Sequence, residues 1–259
     1  MKNTVKKSKY APAAALLVLA AFVFSSFAPD LADAKEIVRK ADERLKGKTA
    51  YAEFTIQVVR TSWQREMSVK SWSKGSDYAM LLVTSPAKEK GNVTLKRQKE
   101  VWSWMPGIER TIKLPPSMMS QSWMGTDFTN DDLVKQSSIV NDYTQKISGD
   151  STIQGRSCYK ITMIPKPEAA VVWGKVVMFI DKKDFLELRS EFYDEDGALV
   201  NIMNGSDVKM LGGKLIPAKM EMIPVDKPGQ KTVIIYSAMK FDDPMDDNFF
   251  TVENMKRVK

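Results

Sequence analysis

The sequence predicts a mainly β protein, an antiparallel meander of about ten or eleven strands that coils into a full or partial barrel, with a short N-terminal helix. Two observations carry this. Apolar and polar residues alternate with period two through most of the chain after residue 50, and tight hairpin signals separate the alternating segments. No linker is long enough to divide domains, so residues 35–259 read as a single domain, and so many strands cannot stay flat.

The elements follow in order. In "AKEIVRKADERLKG" (34–47), Ile37, Val38, Ala41 and Leu45 share one stripe before Gly47 stops the helix. "AYAEFTIQVVR" sets Ala52, Phe54, Ile56 and Val58 on one face, and "REMSVKSWSK" continues with Met67 and Val69, while Trp72 breaks rank on the polar side. "SDYAMLLVTS" is apolar on both faces, which predicts a strand covered on both sides. "GNVTLKRQ" and "KEVWSWM" make a further pair with Trp102 and Trp104 on one face, and "ERTIKL" is short and ends at Pro115-Pro116. "TNDDLVKQS" reads as a capped helical turn with Thr129 or Asn130 as N-cap. The second half is strands joined at "DEDG", "LGGK" and "DKPGQ".

Residues 1–34 read as a secretory signal peptide. Lys2, Lys6, Lys7 and Lys9 precede the apolar run "APAAALLVLAAFVF", and "ADA" offers a cleavage site, with Ala28 as the alternative. At about 14 residues the run falls short of the ~20 that span a bilayer. The chain is expected to be exported. It keeps about +5 of the formal +7 charge, which suits transient contact with an anionic membrane and a solvated surface equally.

Composition excludes much chemistry. With no histidine, Ser-His-Asp and Cys-His catalysis and imidazole metal sites are closed. Cys158, the sole cysteine, makes no internal disulfide and reads as a small buried strand residue. The acidic pairs at 131–132, 194–196, 242–243 and 246–247 sit at turns, strand ends or a helix start, where Asp is structural. "DEDG" is too short for a calcium loop. "KRQK" (96–99) lies near aromatics, but export argues against nucleic acid as a partner. No enzyme activity, cofactor or metal is expected.

The unusual stretch is "WSWMPGIERTIKLPPSMMSQSWMG" (102–125), with three of six tryptophans and four of sixteen methionines among prolines and glycines. Methionine adapts to ligands of variable shape, and a rolled sheet makes a trough that such a segment can cover. Strand methionines such as Met178 and Met222 read instead as core.

The run "MPGIERTIKLPPSMMSQSWMGTDFTNDDL", with the closing "FDDPMDDNFFTVENMKRV", resembles the outer-membrane lipoprotein-sorting proteins, LolA-like periplasmic carriers. The resemblance covers essentially the whole exported chain. It implies an incomplete antiparallel β-barrel, a half-barrel with a helix/loop lid, in the periplasm of a Gram-negative bacterium. Its cavity would hold acyl chains of lipoproteins or lipids, loaded from an inner-membrane transporter and passed to an outer-membrane acceptor. It also implies an arginine that holds the lid shut. Arg60 and Arg65 stand in the early strands, where they read as ordinary surface arginines. The expected cavity wall is Phe54, Ile56, Val58, Met80, Leu82, Trp102 and Trp104. The expected lid residues are Met118, Met119, Trp123, Met124 and Phe128, in a monomer. The rival reading is a periplasmic interaction module or accessory partner of an inner-membrane exporter, without lipid cargo.

Overall fold

The computed structural model describes Met1, residues 33–134 and residues 138–259. The expected signal segment lies, apart from Met1 and its last two residues, outside the described residues. No helix among the described residues is long and apolar enough to cross a membrane.

Helix α1 spans Ala34–Lys46. Asp33 caps it by accepting from the Lys35 N–H at 3.0 Å, and Gly47 closes it at φ 58°, donating to the Glu43 carbonyl. A Cβ at Gly47 would stand 2.8 Å from an Asp242 carboxylate oxygen, so the turn admits only glycine there. Ile37, Val38 and Ala41 are buried, and Arg39 pairs with Glu36 and Glu43 on the wet face.

Thirteen strands form one antiparallel sheet. They are β1 (Thr49–Val59), β2 (Gln64–Lys74), β3 (Tyr78–Ser85), β4 (Val93–Arg97), β5 (Glu100–Met105), β6 (Arg110–Leu114), β7 (Tyr143–Ile153), β8 (Arg156–Pro165), β9 (Lys175–Asp181), β10 (Glu187–Tyr193), β11 (Leu199–Leu211), β12 (Lys214–Pro224) and β13 (Lys231–Phe241). The count exceeds the expected ten or eleven, and the five-residue strands β4 and β6 are full members of the sheet. Strand order is β6-β5-β4-β3-β2-β1-β13-β12-β11-β10-β9-β8-β7, so the first and last strands meet in the middle and β6 and β7 are the two edges. The sheet is open. Register shifts at 53/54, 68/69, 147/149 and 192/193 each bend a strand and deepen the roll.

The alternation in β1 buries Ala52, Phe54, Ile56 and Val58 on one face. Register carries that face onward, with Phe54 opposite Val69 and Tyr236 and Ile56 opposite Met67 and Ile234. These residues belong to the largest apolar cluster, which α1 also joins.

The opposite face of β3–β5 is covered too. Met80, Leu82, Val93 and Leu95 form a separate cluster with Phe250 and Met255, edged by Trp72, Trp102 and Trp104. The C-terminal segment 242–259 lies over them. Phe249 and Phe250 meet edge-on at 5.3 Å, Trp72 packs on Phe249, and Lys256 sits 5.2 Å over the Trp104 ring. Lys74 pins this strap through Asp247 at 2.5 Å. A third cluster around Cys158, Phe179 and Leu188 holds β8–β10. Burial pushes the Cys158 thiol up, consistent with an inert packing residue.

Phe250, on the strap, is fully buried against β3 and β4. Phe250→Ala should cost about 3–5 kcal/mol in urea unfolding, whereas Met210→Ala, at an exposed hairpin position, should change stability by less than about 0.5 kcal/mol.

Candidate functional site: the concave face and its flap

β6 and β7 are consecutive in sequence but lie at opposite edges, so residues 115–142 must cross between them. This flap starts with a single turn at Pro116–Met118, makes another at Trp123–Gly125 and carries helix α2 (Asn130–Val134). Met119, Trp123 and Phe128 are buried in the concave-face cluster, and Met124 packs against it. Met118 is half-buried and lends its carbonyl to the Asn130 side chain at 2.9 Å. The Trp123 indole N–H donates to Thr94 Oγ1 on β4 at 3.1 Å, which satisfies the ring's one polar atom in an apolar setting. Thr126 Oγ1 donates to the Trp123 carbonyl at 2.7 Å, and the Trp123 N–H donates to the Phe128 carbonyl at 2.9 Å, closing residues 123–128 into a loop. Met124 (φ 49°) and Gly125 (φ 73°) supply the left-handed backbone this loop requires.

Two arginines hold the loop, in contrast to their reading as surface residues. The Arg60 guanidinium meets Asp127 through two bonds, at 2.9 and 3.0 Å, and also donates to the Gly125 carbonyl at 3.0 Å. Asp127 is further fixed by the Thr232 hydroxyl at 2.7 Å. The two side chains are only 14% and 7% exposed, so the pair is largely shielded from water. Arg65 donates to the Met124 carbonyl and pairs with Glu89 at 2.7 Å. A planar guanidinium can serve a carboxylate and a carbonyl together, which an ammonium cannot match. Alternation along a strand reports which face a side chain takes but not a partner more than sixty residues away. Arg60→Ala should therefore destabilise the protein by roughly 3 kcal/mol, by leaving Asp127 shielded and unpaired, and should speed hydrogen exchange across 119–128.

Beneath the flap is a cavity of about 260 Å³. Phe128, Leu133, Val134 and Ile139 roof it, Phe54, Leu81, Trp173, Met178, Phe192, Met203, Met222 and Tyr236 wall it, and Leu45 of α1 stands at one side. Among the residues expected on the wall, Phe54 lines the cavity, while Ile56 and Val58 share its face of the sheet without lining it. Met80, Leu82, Trp102 and Trp104 stand on the other face, under the C-terminal strap. Period two fixes that these four share a face, but not which face is concave. Of the expected lid residues Phe128 reaches the cavity; Met119 and Trp123 pack beside it. Trp173, Met203, Met178 and Met222 are the wall residues that sequence reading missed or assigned to the core.

The walls also hold buried polar groups. Thr129 and Asp132 cap α2 reciprocally: the Thr129 N–H donates to the Asp132 carboxylate at 2.8 Å, and the Asp132 N–H to Thr129 Oγ1 at 3.1 Å. The Trp173 indole donates to the same carboxylate at 3.2 Å, and burial pushes the Asp132 carboxyl up. Tyr143 donates to the Trp173 carbonyl at 3.2 Å, and burial pushes its phenol up likewise. Asp131 and Asp132 are neighbours on one helical turn, not two carboxylates facing across a cleft as glycosidase chemistry needs. Among the described residues no group of three or more His, Cys, Asp or Glu could hold a metal.

Lys96, on the concave face of β4, is 3% exposed and donates to the Ser76 carbonyl at 2.5 Å. Burial lowers its ammonium to about 8; the charge of Lys46 adds to this, while Asp131, Asp77 and Asp142 oppose it. A folded value below the unfolded one destabilises fully below pH 8, and the penalty fades as pH rises toward an ordinary lysine's 10.5. Relative to Lys96→Met, the wild-type protein should therefore gain on the order of 3 kcal/mol between pH 8 and 10.5 in urea titrations.

A family model described as an uncharacterized protein matches residues 75–257. Among solved structures, a domain assigned to outer-membrane lipoprotein sorting in Vibrio parahaemolyticus is similar at 21% identity and TM-score 0.77, covering 86% of this chain and 98% of its own. A DUF1329 family protein from Desulfovibrio piger is similar at 21% identity and TM-score 0.77, over 86% and 97%. A LolA superfamily protein from Nitrosomonas europaea is similar at 23% identity and TM-score 0.73, over 85% and 98%. At these identities the likeness is one of fold. No curated protein matches the sequence.

Proposed function

Because the chain belongs to the family whose model matches residues 75–257 and shares the LolA superfamily fold, we propose that it is a non-catalytic carrier of acyl chains. In this reading residues 1–34 direct it to the periplasm, where it moves lipid or lipidated protein from an inner-membrane donor to an outer-membrane acceptor. The observation that carries the proposal is the apolar cavity between the concave face and a flap of Trp and Met.

The size of the cavity sets the scale of binding. With about 30 Å³ for each water-sized group, it seats roughly nine methylenes, a segment of one acyl chain. At ~0.8 kcal/mol each, their burial gives about 7 kcal/mol gross, from which ordering and association costs leave a releasable affinity. Methionines 178, 203 and 222 can repack around chains of different length. The flap joins the two sheet edges, so it can lift without breaking strand pairing, and the Arg60–Asp127 pair sets how readily it does so.

The test is uptake of a fluorescent fatty acid by the purified protein. Met203→Trp, which fills the cavity from its wall, should weaken binding at least about tenfold with the fold intact by circular dichroism. Trp123→Asp with Met124→Asp should abolish uptake by unseating the flap. A protein-docking module without cargo would show no uptake at all, and uptake indifferent to Met203→Trp would place the ligand elsewhere.

A further inference from the structure

Three large apolar side chains stand out in water at hairpin tips: Trp63, Ile108 and Val225, 49%, 60% and 46% exposed. They belong to the β1–β2, β5–β6 and β12–β13 turns. In a meander of this order those turns, with the β3–β4 turn between them, leave the sheet at one end. The tips touch in sequence along the rim. Arg60 donates to the Lys231 carbonyl at 3.3 Å, Arg65 pairs with Glu89, and Gly91 abuts the Pro106 ring.

The same row is basic. Lys88, Lys90, Arg110 and Lys227 are exposed, and none forms an ion pair among the described residues; Glu109 and Asp226 are the exposed acids beside them. Farther along the same end the sign reverses at Asp194, Glu195 and Asp196, so only the β12–β6 half carries this character. The apolar side chains are isolated tips, with cations between them and no continuous groove. A folded protein partner is matched by a packed apolar patch, whereas a bilayer headgroup layer accepts separate wedges flanked by cations. Tryptophan in particular favours that interface.

We propose that this row of hairpin tips is a membrane-docking rim, with Trp63, Ile108 and Val225 entering the headgroup layer of an anionic bilayer and Lys88, Lys90, Arg110 and Lys227 facing its phosphates. The rim needs no occupant in the cavity. It also meets the flap anchor, since the Trp63 ring lies 5.8 Å from the Arg60 guanidinium.

Flotation of the exported protein tests this, using vesicles of phosphatidylethanolamine and phosphatidylglycerol against phosphatidylcholine alone. The wild type should float with the anionic vesicles only, and less as salt rises. Ile108→Asp with Val225→Asp, and separately Lys88→Glu with Lys90→Glu, should each lower the bound fraction at least about tenfold, while still taking up fluorescent fatty acid. The cavity-filled Met203→Trp should float like the wild type. Absence of flotation with anionic vesicles, as a rim built for a protein partner would give, overturns the proposal. So does flotation unchanged in the rim variants, or flotation lost in Met203→Trp, which would mean lipid capture by the cavity.

Discussion

The structure depends on a single topological constraint. β1 pairs with β13 in the middle of the sheet, so the meander grows outward from both chain ends and leaves β6 and β7 as edges. Those edges are joined by only 28 residues, numbers 115–142. The described residues of this segment lie over the concave face, and that position turns a loop into a roof. The apolar side chains within it then have somewhere to go: Met119, Trp123 and Phe128 are as well buried as core residues. This is why a proline- and glycine-rich stretch carries so much Trp and Met. The irregular backbone gives the path, and the sheet gives the shelter.

Such a roof must satisfy its own polar atoms, because a loop lying on an apolar face has lost water on one side. Thr126, Thr94, Asn130 and the Thr129–Asp132 cap take up most of that need from within the flap and from β4. The remaining carbonyls at 124 and 125, with Asp127, are met by Arg60 from the β1–β2 turn and Arg65 from β2. The flap is thus fixed by a few directional bonds at one end and by greasy contact elsewhere. The second apolar cluster plays a different part: the C-terminal strap seals it, so the convex face of β3–β5 is packed core.

Much of this was legible in the residues. The period-two segments, the helix 34–46 and the capped turn at Thr129 follow directly from local chemistry. Of the stretch 102–125, however, only the part after Pro115 lies over the concave face, since Trp102 and Trp104 belong to β5 and pack on the other side. The failures have a common cause. Met80, Leu82, Trp102 and Trp104 alternate correctly, but a strand covered on both sides gives no hint of which face is concave, and only the return of Phe250 from the chain's far end decides it. Met178, Met203 and Met222 look like ordinary core residues because the cavity they wall exists only where Trp173 and Phe128 meet them across the sheet. Arg60 and Arg65 looked like surface charges because their partners lie in the flap, beyond the reach of any local pattern.

The central claim is that the space between the flap and the concave face is kept open for hydrocarbon from another molecule. Crystals grown with a bromine-tagged fatty acid locate that hydrocarbon directly through the anomalous signal of the bromine. The account predicts one peak enclosed by Phe128, Trp173 and Met203. A peak on the convex side beside Trp102 and Trp104, or an interior in which side chains close over and no bromine is found, would contradict it.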